Sequence, residues 1–148
     1  MRSLLTVPFL LLLVLSAQAG QPFSEPFILG VGESTQIGDA ELSVGFDAIT
    51  GDSRCPTGVW CFWEGDAAAG LWLALPGEPA QAFVLHTFAD FEQMLELGAY
   101  VISLQLVTPY PVVNVPIDPA TYEVTLVVER AAVPTGERTW GTLKAQYR

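Results

Sequence analysis

From Ala40 to Ile49 apolar and polar residues alternate one for one. Leu42, Val44, Phe46 and Ala48 fall on one face, and Glu41, Ser43, Gly45 and Asp47 on the other. A period of two is the period of a strand, with one face for a core and one for water. The rhythm returns along the chain. Ala67, Ala69, Leu71, Leu73 and Leu75 share a face, with Trp72 and Ala74 opposite. Phe83 and Leu85 alternate with Val84 and His86 between Gln81 and Thr87. Pro76-Gly77-Glu78-Pro79 separates these two segments, which predicts a hairpin. Tyr100, Ile102, Leu104 and Leu106 alternate with Val101, Ser103, Gln105 and Val107. Tyr122, Val124, Leu126 and Val128 do so with Glu123, Thr125, Val127 and Glu129.

Weaker strand signals cover Phe27–Leu29, Thr35–Ile37 and Val59–Phe62, and Thr139–Tyr147 reads as an edge strand or a loose trailing segment. Seven or eight short strands divided by Gly and Pro turns predict an all-β, antiparallel β-sandwich of Greek-key, immunoglobulin-like type, with a small β-barrel as the alternative. Tyr122, after the Ile117-Asp118-Pro119-Ala120-Thr121 turn, resembles the tyrosine corner of such sandwiches, in which the hydroxyl bonds back to the backbone. One segment breaks the rhythm. Phe91, Met94 and Leu95 lie at helical spacing within Ala89–Leu97, with Asp90 as an N-cap and Gly98 as a stop, so a short helix or a long crossover loop is expected there.

The N-terminus reads as an address. Arg2 supplies a positive charge, Leu4–Leu15 is almost wholly apolar, and Ala17-Gln18-Ala19 fits a signal peptidase site. Twelve residues of helix reach roughly 18 Å, too short for a ~30 Å hydrocarbon core. The expectation is a signal peptide over 1–19 and a single exported β-domain over 20–148, periplasmic or extracellular and off the membrane after cleavage. Residues 20–148 carry five basic residues against sixteen acidic, a net charge of −11. That balance argues against nucleic acid and anionic lipid, which need clustered Lys and Arg.

Export gives the two cysteines a meaning: in an oxidising compartment Cys55 and Cys61 form a disulfide. The loop is short, so the chain-entropy contribution is roughly 2 kcal/mol. The bridge is a local clamp. C-x5-C is not the C-x-x-C of a redox dithiol. Around the pair runs Asp52-Ser53-Arg54-Cys55-Pro56-Thr57-Gly58-Val59-Trp60-Cys61-Phe62-Trp63-Glu64-Gly65-Asp66. From Asp52 to Gly65 this stretch resembles a group of small exported bacterial proteins of unknown function, with D-S-R-C-P followed by C-x-W-x-G. The resemblance implies an exported β-fold and no activity.

Within it, Asp52, Arg54, Trp60, Phe62 and Trp63 form a candidate interaction loop. As a strand, the segment would place Trp60 and Phe62 on one face and Cys61 and Trp63 on the other. Trp63 packed on the bridge would close one end of the core, whereas an exposed Trp60 or Phe62 would stack on a sugar or an apolar partner. Arg54 among Asp52, Glu64 and Asp66 predicts a bidentate carboxylate pair that pins the loop. The alternative is a calcium site of Asp52, Glu64 and Asp66, although the D-x-D-x-D-G spacing is absent. His86 is the only histidine, too few for a transition-metal site. No G-x-S-x-G accompanies it, and a mid-strand position is expected. No cofactor is implied. The leading expectation is a non-enzymatic domain that offers a disulfide-clamped loop to an envelope or extracellular protein, or has an envelope-structural role. A calcium or small-ligand binder is second and a small secreted hydrolase third.

Overall fold

The computed structural model describes residues 20–39 and 41–131. The expected signal segment and the Thr139–Tyr147 strand lie outside them. Eight strands form: β1 (Phe27–Gly30), β2 (Ser34–Ile37), β3 (Leu42–Asp52), β4 (Ala67–Ala74), β5 (Gln81–His86), β6 (Met94–Leu97), β7 (Tyr100–Thr108) and β8 (Glu123–Arg130). They build two four-stranded antiparallel sheets, ordered β1-β8-β7-β6 and β2-β3-β4-β5. The expected all-β sandwich is therefore present, and no barrel closes, because β1 does not pair with β2 nor β5 with β6. Each sheet contains a simple meander. The chain changes sheet between β1 and β2 and again between β5 and β6, and β8 returns beside β1. This strand order replaces the Greek-key connection that was expected.

The alternating faces meet as one core. Val44, Phe46, Ala69, Leu71, Leu73 and Leu85 come from one sheet, and Leu29, Ile102, Leu104, Val124, Leu126 and Val128 from the other. In β4 the alternation is perfect over all eight residues. It fails elsewhere at bulges, where an extra residue shifts the phase. Asp47 and Thr50 have no partner on β4, so β3 bulges twice and Ala48 turns outward. Gln105 has none on β8, which turns Leu106 to solvent and buries Val107, the reverse of simple alternation.

Two sequence expectations fail locally. Ala89–Leu97 holds no helix: Met94–Leu97 pairs with β7, and a two-residue turn at Gly98-Ala99 joins them. Gly98 has φ +60°, the conformation that a tight hairpin turn asks of its first central residue. Four ladder-paired residues outweigh the weak helical spacing. Val59–Phe62 is likewise not a strand but part of an irregular loop.

The seams between the sheets are stitched by backbone. On one side the His86 N–H donates to the Glu92 carbonyl and the Leu104 N–H to that of Gln93. On the other, the Gln21 N–H bonds to the Gln36 carbonyl and the Ser24 N–H to that of Val128. Such covering spares the edge strands from unpaired backbone.

The bulge at Gln105 separates two leucines that strict alternation treats alike. Leu104→Ala should cost about 2–5 kcal/mol in unfolding free energy, as a core truncation does. Leu106→Ala should change it by no more than about 0.5 kcal/mol. Urea denaturation of the two variants checks the difference, and similar losses would contradict the bulge.

Candidate functional site

The site grows out of the end of the β3–β4 ladder. Past the Asp52↔Ala67 pair the two chains keep bonding, with the Ser53 N–H on the Asp66 carbonyl (2.7 Å) and the Cys55 N–H on the Glu64 carbonyl (2.8 Å). Gly65 sits between these rungs at φ +77°, and a Cβ there would lie 1.9 Å from the Ser53 carbonyl oxygen. Only glycine fits, which gives the last position of C-x-W-x-G its physical reason.

Arg54 comes off this ladder and is buried, with 7% of its surface exposed. Its Nε donates to Asp52 Oδ1 (2.9 Å) and its Nη2 to Asp52 Oδ2 (2.7 Å), the bidentate pair expected from the sequence. Nη1 donates to the Val107 carbonyl (2.6 Å) and Nη2 also to that of Pro109 (2.9 Å). The Tyr110 ring lies 4.9 Å from the guanidinium carbon. The Tyr122 hydroxyl donates to Asp52 Oδ2 (2.9 Å). The tyrosine-corner expectation is corrected here: the hydroxyl reaches a carboxylate on the opposite sheet, not nearby backbone. A short 3-10 turn at Pro119–Thr121, capped by Asp118, delivers Tyr122 to that place.

Asp66 anchors the other flank. Its Oδ1 accepts from the backbone N–H groups of Thr87 and Phe88, both at 3.0 Å, and its Oδ2 lies 2.6 Å from Nδ1 of His86. His86 is the last residue of β5, not mid-strand, and its ring meets Phe91 edge-on at 5.1 Å. Phe88 bridges Phe91 (5.3 Å) and Trp63 (5.4 Å), so an aromatic row runs from the β5 end to the disulfide loop.

Between these anchors the Cys55–Cys61 bridge closes, with the Cα atoms 5.9 Å apart. Thr57 ties the loop to the β7–β8 connection: its N–H donates to the Pro111 carbonyl, and its carbonyl accepts from the Val113 N–H. The clamped backbone holds its largest side chains outward. Trp60 is 89% exposed, Phe62 96% and Trp63 49%. Trp63 therefore does not close the core as one reading of the sequence had it; it leans on Phe88 at the surface. Val59, Phe91, Tyr110, Val112 and Val115 are exposed as well.

The three acids of the calcium alternative do not converge. Asp52 is taken by Arg54 and Tyr122, and Asp66 by His86 and the turn amides. Among the described residues no group of three or more His, Cys, Asp or Glu is placed to hold a metal ion. Nor is any helix among them long and apolar enough to cross a membrane. Sequence reasoning missed Phe88, Phe91 and Tyr110, and the pairing of Asp66 with His86. The hairpin register holds that last signal: Ala68 faces His86, so Asp66 falls beside Thr87 and Phe88. In comparisons with known proteins, the chain matches no family model, no curated protein and no solved structure.

Burial opposes ionisation of both anchoring carboxylates, but hydrogen bonds outweigh it. Arg54 and then Tyr122 hold Asp52 below the ordinary aspartate range, and His86 and the Phe88 amide do the same for Asp66. As pH falls, the unfolded chain, with aspartates near 3.9, takes up these protons before the folded one. The stability they contribute is complete above about pH 4 and is lost as pH drops through the folded-state values. Urea unfolding between pH 7 and 2 should show that loss, and Asp66→Asn, weaker at pH 7, should show a shallower acid slope. Identical slopes would remove Asp66 from the account.

Proposed function

We propose that the chain is an exported, non-enzymatic binding domain that presents the Cys55–Cys61 loop to a partner protein of the envelope or extracellular space. The observation that supports this most is the outward display of Trp60 and Phe62, at 89% and 96% exposure, from a backbone fixed at both ends. Exposed aromatics in one loop cost solubility, and contiguous apolar patches on soluble proteins mark interaction sites. Aromatic side chains carry much of the energy of protein interfaces. A loop already held by a disulfide, four Arg54 hydrogen bonds and two Thr57 backbone bonds loses little entropy on binding.

Two further features support the reading. The bridge is compatible with an oxidising compartment, in line with the Arg2, Leu4–Leu15 and Ala17-Gln18-Ala19 pattern of an export signal. The buried Arg54 and Asp66 and the half-buried Asp52, the polar groups nearest the loop, are engaged in holding it rather than converging on an open cleft.

The test uses the full mature chain as bait in envelope extract, beside Trp60→Ser/Phe62→Ser. Because both residues are exposed, the double variant should melt within about 4 °C of the native chain. At least one protein should be retained by the native bait and lost with the variant. An identical retained set on both baits would overturn the proposal.

A further inference from the structure

The chemistry of the partner follows from charge. Residues 20–131 contain fifteen acidic side chains and two basic ones, a net charge of −13. Neither cation is free. Arg54 is buried against Asp52 and two carbonyls, and Arg130 is bound to Glu41 and stacked over Phe23 at the opposite end of the sandwich. The half-exposed His86 is held by Asp66. Thus among the described residues no Lys or Arg at the loop end is left to repel a positive surface. The exposed side chains beside the aromatic row are acids: Glu64 follows Trp63, and Asp90 and Glu92 flank Phe91.

We infer that the loop docks on a protein surface whose apolar centre is fringed by lysine and arginine. This inference rests on the interaction reading above and names the partner's chemistry. Trp60 and Phe62 supply the apolar contact. Trp63 and Phe91, each half exposed, offer ring faces over which a cation is attracted. Glu64, Asp90 and Glu92 supply the counter-charge at the rim, where pairing sets partner choice and association rate and is screened by salt. An acidic partner would meet three carboxylates with no cation among the described residues to answer it, so the surface also selects by repulsion.

The experiment pans a random 12-residue peptide display library against the immobilised, oxidised mature chain. Binders to Trp60→Ser/Phe62→Ser are removed first. Recovered peptides should combine aromatic or aliphatic residues with several-fold enrichment in Lys and Arg. Synthetic copies should bind roughly tenfold more weakly to Glu64→Gln/Asp90→Asn/Glu92→Gln at low salt, with the difference fading near 0.5 M salt. Loop-dependent binders without that enrichment, or with unchanged affinity for the triple variant, would overturn the cationic partner and leave the interaction reading standing. Recovery of no loop-dependent binder would overturn both. So would a Trp fluorescence blue shift on phosphatidylcholine vesicles without peptide binding, which would mark the loop as a membrane anchor.

Discussion

A guanidinium withdrawn from water must find partners for its N–H groups, and the way Arg54 finds them fixes one end of this molecule. Asp52 is the last residue of β3 on one sheet; Val107 belongs to β7 on the other, and Pro109 follows it. Tyr122, at the foot of β8, bonds to the same carboxylate. One side chain thus ties two sheets whose strands share no ladder at this end. Burying an ion pair stabilises little against a well-packed apolar alternative, but removing one partner leaves a costly unpaired charge. The arrangement therefore makes a single seating of the loop far better than any other.

That seating explains how Trp60 and Phe62 stay in water. A free loop carrying such residues would fold them against the nearest apolar surface. Here the disulfide, Gly65 and the Thr57 bonds to the β7–β8 connection set the backbone path, and the aromatics project from it. The opposite end of the sandwich is built from related parts with a different outcome. There Glu41 accepts from Tyr100 and Arg130, and Phe23 stacks on Tyr100 at 5.8 Å, so the aromatic and charged groups satisfy one another. The poles differ in what they leave unsatisfied, and the apolar surplus sits at the disulfide end.

Much of this was legible in the residues themselves. Strict alternation in Ala67–Leu75 and Tyr122–Glu129 marks strands because each inward position is apolar and each is paired. The Arg54–Asp52 pair was legible because an arginine two residues from an aspartate, just ahead of a disulfide loop, has a partner within reach. The bulges at Asp47, Thr50 and Gln105 were not, since a one-residue phase shift leaves no local mark when the residues on both sides are apolar, as Leu106 and Val107 are. Ala89–Leu97 misled because three apolar residues at helical spacing are too few to oppose four ladder-paired ones. The tie between Asp52 and Tyr122 spans 70 positions, and no local pattern encodes it.

The disulfide end of the molecule depends above all on Arg54 as a buried junction rather than a surface charge. Its most direct test is the unfolding free energy of Arg54→Met in urea at neutral pH. Methionine keeps much of the apolar stem but leaves Asp52 without its cation and the Val107 and Pro109 carbonyls without their donor. The predicted loss is about 3–5 kcal/mol. A change within about 0.5 kcal/mol, as for an ordinary surface substitution, would contradict it.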